Sequence, residues 1–155
     1  MLGKALARAL RRFGLEVRRT NRVAAPTGSL ASRPIAHLDE LVGDAKGIPG
    51  MLSAESGKFL YALCYQQAVD GDVVEIGSWQ GYSTSFLARA VRDSGNGQFH
   101  AIDHFRGNRG KEPSYVVGAA DLSDLRSNFE RNMERLGLRE SIHLLDMPNQ
   151  QAARE

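Results

Sequence analysis

Residues 73–84 read Val-Val-Glu-Ile-Gly-Ser-Trp-Gln-Gly-Tyr-Ser-Thr. A short apolar run carrying one acid, Glu75, meets two glycines, Gly77 and Gly81, after which an amphipathic pattern of helical period begins. The stretch reads as a strand, a tight turn and a helix. Gly77 is placed where a strand must turn sharply, and its bare backbone lets a ligand come close. Gly81 stands where the helix begins, and a helix start offers free N–H groups. Ser83 and Thr84 follow in the first helical turn, where hydroxyls satisfy those groups or reach a ligand. Glu75 needs a cationic or hydrogen-bonding partner, because an unpaired charge in an apolar strand is costly.

The pattern alternates on both sides of this stretch. A strand at about 73–76 and a helix at about 82–92 are followed by a strand at about 98–103, ending in Asp103. A loop over 104–120 carries Gly107, Gly110, Pro113 and Gly118. Leu122, Leu125, Phe129, Met133 and Leu136 then mark a helix, with Asp121 or Ser123 as its N-cap and Gly137 just past its end. A third strand is expected over Ser141–Leu145. Upstream, Ser53 caps a helix from about Ala54 to Ala68, with Glu55 in its first turn. The βαβαβ order implies an α/β fold, a Rossmann-like parallel sheet with helices on both faces.

A glycine turn and a later acid at the end of the next strand is the layout that nucleotide-like ligands use in open α/β sheets. The spacing discriminates among them. A dinucleotide fingerprint is G-x-G-x-x-G, whereas this chain has G-x-x-x-G from Gly77 to Gly81. Glu75, two residues before the first glycine, would repel a pyrophosphate and suits a cation such as a sulfonium compound with an α-amino group. That spacing argues against an NAD-dependent reductase. Asp103 fits the acid that accepts from ribose hydroxyls. Trp79, at the turn tip, is placed to pack or to touch a ligand.

The 155 residues are enough for one core, and 42% apolar with 25% charged residues is ordinary for a globular chain. No apolar run approaches the roughly 18 residues that span a membrane. The lone cysteine, Cys64, lies in an apolar helical run, excludes an intramolecular disulfide and suits a reducing, cytoplasmic compartment. The four histidines show no metal-ligand spacing, so no metal site is expected. Residues 1–22 hold seven Lys/Arg against one acid, Glu16; that segment is +6, which leaves −4 for residues 23–155 within the net +2. The basic balance belongs to the head of the chain and gives no case for nucleic-acid binding. Leu2, Ala5, Leu6, Ala9, Leu10 and Phe13 form one stripe of a basic amphipathic N-terminal helix, which packs on its own domain or touches a membrane surface as a peripheral element. An Arg-rich, acid-poor head is also compatible with a mitochondrial presequence. Residues 24–37 read as a linker, which places a basic helix and linker in 1–46 and the sheet-forming domain in 47–155.

Glu75-Ile-Gly77-Ser-Trp-Gln-Gly81-Tyr-Ser-Thr84 resembles motif I, E/D-x-G-x-x-x-G, of the class I S-adenosylmethionine-dependent methyltransferases. Gly50-Met-Leu-Ser53-Ala-Glu55, Ala101-Ile-Asp103-His-Phe105 and Asn128-Phe-Glu-Arg-Asn132 extend the resemblance to a branch of O-methyltransferases linked with sugar, glycan and natural-product pathways, over roughly residues 47–150. The resemblance implies S-adenosyl-L-methionine as cofactor. Glu75, Gly77 and the turn, with Ser78, Trp79, Gly81, Ser83 and Thr84, would hold its methionine end. Asp103 would bind the ribose, His104 would lie beside the adenine, and Asp146 would approach the adenine amine. Met147-Pro148 departs from the small residues expected after that acid.

The resemblance implies a seven-stranded sheet ordered 3-2-1-4-5-7-6, of which three strands, the 3-2-1 half, are read here. Val73–Ile76 would then be an apolar edge that pairs with further chain or with a second copy in a homo-oligomer. The expected function is methyl transfer to oxygen of a small molecule, sugar or glycan, with this chain as the cofactor-binding half. The alternative is a non-catalytic nucleoside-binding or assembly module derived from the same fold. His100, His104 and His143 are available to chemistry, but none is read as a catalytic base.

Overall fold

The structure is a computed structural model and describes residues 35, 37–66, 71–107 and 124–154. The expected N-terminal helix, most of the linker, residues 67–68, most of the 104–120 loop, and Asp121, Leu122 and Ser123 lie outside the described residues.

Three parallel strands form the sheet in the order β1-β2-β3: β1 Val73–Ile76, β2 Phe99–Asp103 and β3 Ile142–Asp146. β1 pairs with β2 from Val73↔Phe99 to Ile76↔Ile102, and β2 with β3 from Phe99↔Ile142 to Asp103↔Asp146. α1 (Leu38–Asp44) and α2 (Ala54–Tyr65) precede β1, α3 (Tyr82–Ser94) joins β1 to β2, α4 (Leu125–Arg135) precedes β3, and α5 (Asn149–Ala152) follows it. The expected βαβαβ order and parallel pairing are therefore present, with β3 one residue later than expected.

Side chains alternate along each strand. Val73, Phe99, Ala101, Ile142 and Leu144 enter one core with Phe86, Ala90 and Val91 of α3 and Phe129 and Met133 of α4. On the other face Val74 and Ile76 are 56% and 63% exposed. Among the described residues β1 is hydrogen-bonded to a strand on one side only. The Val-Val-Glu-Ile run, apolar enough for a central strand, thus presents two large side chains to solvent at a sheet edge.

The helix ends follow local chemistry. Ser53 Oγ accepts from the Ser56 N–H at 3.1 Å, the cap expected for α2. α4 begins later than expected: its N-cap is Asp124, one residue past Ser123 and three past Asp121, with its carboxylate accepting from the Ser127 N–H. Its C-terminus is a Schellman turn, with Gly137 at φ 64°, the Gly137 N–H bonded to the Glu134 carbonyl and the Leu138 N–H to the Met133 carbonyl.

α1 was not read from the sequence. Its Leu41, together with Ala45 and Ile48, is buried in the common core. The expected boundary between residues 46 and 47 thus falls between two residues of that core. Gly57 lets α2 lie against α3, because a Cβ there would stand 2.6 Å from the Phe86 ring. Cys64 is buried, its thiol pushed up by desolvation, as a small core hydrophobe would be.

Candidate functional site

The site is built where β1 ends. Gly77 (φ 86°), Trp79 (φ 48°) and Gly81 (φ 93°) all take left-handed backbone angles, so the five residues reverse direction with very little chain. The turn is closed by the Gly81 N–H donating to the Ser78 carbonyl at 2.8 Å. Beyond it Gly81 is the N-cap residue of α3. Ser83 and Thr84 thereby project from the first turn of α3 back toward β1.

Glu75 is 8% exposed, and both of its oxygens are occupied. Ser83 Oγ donates to Oε1 and Thr84 Oγ1 to Oε2, each at 2.5 Å. The partners that Glu75 required are therefore hydroxyls of the next helix rather than a cation. Each carboxylate oxygen keeps acceptor capacity beyond one hydroxyl. Burial pushes the Glu75 carboxyl above its ordinary 4.5, an effect that the Ser83, Thr84 and Ser78 hydroxyls partly offset. The folded chain thus holds this proton more tightly than the unfolded chain. The carboxyl supports the fold fully below the unfolded value, and that support is lost as pH rises from 4.5 through the raised folded value. Urea unfolding across that window should show wild type losing stability relative to Glu75→Gln as pH rises. A pH-independent difference between the two would contradict the burial argument.

A cleft of 250 Å³ opens beside these groups, lined by Glu75, Gly77, Ser78, Trp79 and Ser83 and closed by Pro49–Leu52 and Tyr82. It is smaller than the roughly 300–1,000 Å³ of whole small-molecule sites, and so suits one end of a ligand. Ser78 is 2% exposed, and its hydroxyl makes no well-aligned hydrogen bond among the described residues, though it stands near enough to Glu75 to help hold that carboxyl's pKa down. A Cβ at Gly77 would meet nothing within 4 Å. A buried hydroxyl beside the acid, a carboxylate with spare acceptor capacity and an open backbone approach are what an amino-acid-like group needs.

Asp103 lies on the other side of the turn. Its Oδ2 accepts from the Trp79 N–H at 2.8 Å and its Oδ1 from the Phe105 N–H at 2.7 Å. The side chain is 14% exposed. The acid at the end of β2 is thus locked to the glycine turn after β1 by one direct bond. His104 is 40% exposed, and its Nδ1 accepts from the Arg106 N–H.

Two of the residues read from the sequence are placed differently from a simple ligand contact. Thr84 is 0% exposed and acts through Glu75. Asp146 sits beside Asp103 in the β2–β3 register, but Arg126 Nη1 donates to its Oδ2 at 2.6 Å. Sequence reasoning passed over Gly50, Met51 and Tyr82 as cleft residues. The signal for the first lay in its glycine: a Cβ at Gly50 would overlap the Tyr82 ring, so the 47–50 loop can rest on the start of α3 only without a side chain there.

A methyltransferase-domain family profile matches residues 74–155, more than half of the chain. The chain belongs to that methyltransferase-domain family. The cofactor-bound structure of Rv0187 from MTB is similar to it at 20% identity and a TM-score of 0.49, over 76% of this chain and 46% of the other. A protein from Klebsiella pneumoniae assigned as an O-methyltransferase is similar at 19% identity and a TM-score of 0.49, over 97% of this chain and 53% of the other. The chain spans about half the length of the solved structures it matches. The methyltransferase domain places Glu75, the glycine turn and Asp103 at one end of its sheet. Among its described residues there is no group of three or more His, Cys, Asp or Glu that could hold a metal ion, and no helix long and apolar enough to cross a membrane.

Proposed function

We propose that the β1–α3 turn binds S-adenosyl-L-methionine and that the chain serves an S-adenosylmethionine-dependent methyltransferase acting on oxygen of a small-molecule, sugar or glycan acceptor. The observation that carries this reading is the bond from the Trp79 N–H to Asp103. It joins a G-x-x-x-G turn, preceded by a buried acid, to a second acid at the end of the neighbouring strand. The turn supplies a place for an α-amino acid, and Asp103 supplies one for a vicinal diol.

In this reading Glu75, kept in place by Ser83 and Thr84, accepts from the ammonium, while Ser78 offers a hydroxyl to the amino-acid end. Asp103, its orientation set by two backbone N–H groups, accepts from the ribose hydroxyls. His104 lies next in the chain toward the base, and Asp146 reaches the adenine amine only by sharing its carboxylate with Arg126. The cofactor, when bound, supplies a methyl on a sulfonium centre open to direct displacement. The protein's part is to hold that methyl in line with the acceptor. A lone buried thiol, Cys64, fits work in the cytoplasm.

The test is calorimetric titration of the chain with S-adenosylhomocysteine, using NAD as the control. Saturable one-to-one binding of the first and no heat from the second is the expected result. Because an ammonium beside Glu75 favours its charged form, binding should also release a proton where that carboxyl is partly protonated. The binding enthalpy should then change with the ionisation enthalpy of the buffer. A folded chain that gives no heat with S-adenosylhomocysteine, or that binds NAD equally well, would overturn the reading.

A further inference from the structure

The Gln80–Gly81 peptide group sits at the centre of the turn and is gripped at both ends. Its N–H, on Gly81, donates to the Ser78 carbonyl at 2.8 Å. Its carbonyl, on Gln80, accepts from Asn132 Nδ2 at 2.9 Å. The peptide is planar, so fixing both ends fixes the orientation of the whole group. The grip on the carbonyl comes from α4, 52 residues away in the chain.

Three residues of α4 share the face that backs the turn. Phe129, Asn132 and Met133 stand at i, i+3 and i+4. The Cβ that Gly81 lacks would meet Met133 Cε at 2.6 Å and Phe129 Cδ2 at 3.2 Å, so helix and turn are in direct contact. Phe129 and Met133 fill that contact with apolar atoms and are fully buried. Packing alone would be served by a third apolar residue, and asparagine is a weak helix former. An amide at this position does what packing cannot: it selects one orientation of the Gln80–Gly81 peptide. Gly81, with φ 93°, has no Cβ to hold that orientation by itself.

We infer that Asn132 is a positioning residue of the ligand turn. It touches no ligand, and it holds the peptide between Gln80 and Gly81 so that the turn's N–H groups, Trp79 and the start of α3 keep their binding geometry. Its role in cofactor affinity rests on the S-adenosylmethionine reading of the site.

The experiment compares wild type, Asn132→Ala, Asn132→Asp and Arg135→Ala in the full 155-residue chain. Asn132→Asp keeps the volume and loses the donor. Arg135→Ala is the control, because it removes a different bond from the same helix, Arg135 Nη1 to the Asp44 carbonyl at 3.0 Å, between two residues that belong to neither the turn nor the cleft lining. Each chain is titrated with S-adenosylhomocysteine, checked for folding by circular dichroism, and read by the emission of Trp79, the one tryptophan of the sequence.

Both Asn132 variants should bind about tenfold more weakly, the scale of one hydrogen bond expressed in affinity. Their Trp79 emission should shift before ligand is added, while Arg135→Ala keeps wild-type affinity and emission. Wild-type affinity in folded Asn132→Ala and Asn132→Asp would overturn the inference, as would an equal loss in Arg135→Ala. If wild type itself does not bind, the cofactor reading fails separately. The positioning of the turn is then decided by Trp79 emission: a shift confined to the Asn132 variants upholds it, and no shift overturns it.

Discussion

Gly81→Ala is expected to lower the unfolding free energy by roughly 2–5 kcal/mol, whereas Gly77→Ala costs only about 1–2 kcal/mol. Both glycines have positive φ, 93° and 86°, and both substitutions carry the backbone cost of placing a Cβ in the left-handed region. The difference lies in what surrounds them. At Gly77 a Cβ meets nothing within 4 Å, while at Gly81 it meets Met133 Cε at 2.6 Å and Phe129 Cδ2 at 3.2 Å. The methionine end is flexible, but Met133 and Phe129 are both 0% exposed and have little room into which to withdraw. The added methyl therefore forces α4 and the turn apart, and the bond from Asn132 to the Gln80 carbonyl should lengthen with them. Denaturant unfolding of the two variants side by side is the check. Equal losses for Gly77→Ala and Gly81→Ala would contradict the packing of α4 on the turn.

Asp103→Ala is expected to weaken S-adenosylhomocysteine binding about a hundredfold, the scale of losing one or two hydrogen bonds to a charged group. The carboxylate already holds two backbone N–H groups, so its oxygens are aimed without any side-chain search. Removing it takes away the proposed acceptor of the ribose and also frees Trp79 from β2. Asp103→Asn keeps one acceptor oxygen and should fall between wild type and alanine. Asp146→Ala should lose much less, because Arg126 already engages that carboxylate. Isothermal titration of the three variants decides the order. A larger loss at Asp146 than at Asp103 would reverse the assignment of the two acids.

Much of this was legible in the chain because it is local. The strand, the glycine turn and the helix over 73–94 are dictated by a short apolar run, two glycines and one helical period. Asp103 is found by its place at the end of the next apolar run. The cap at Ser53 and the glycine stop at Gly137 are likewise signals of one or two residues. What was not legible is non-local or too short. α1 spans seven residues, with Leu38, Leu41 and Val42 as its apolar side chains, too few to show a period. Its residue Leu41 becomes core only because α2 and the rest of the common core are there to cover it.

The partners of Glu75 illustrate the same limit. The need for a partner follows from one acid in an apolar strand. That the partners are Ser83 and Thr84 follows only from how tightly the turn brings α3 back onto β1. Neither the Arg126–Asp146 pair nor the Asn132–Gln80 contact leaves a trace in composition or spacing, because each joins positions 20 or more residues apart.

The central claim is that the turn between β1 and α3, together with Asp103, is one ligand site. Amide NMR of the isotope-labelled chain during addition of S-adenosylhomocysteine tests it most directly. The largest shifts should fall on Gly77 to Gly81 and on Asp103 to Phe105, with little change at Gly97, Gln98 and Ser141 near the opposite end of the sheet. Shifts that avoid the turn, or that cluster at that opposite end, would contradict it.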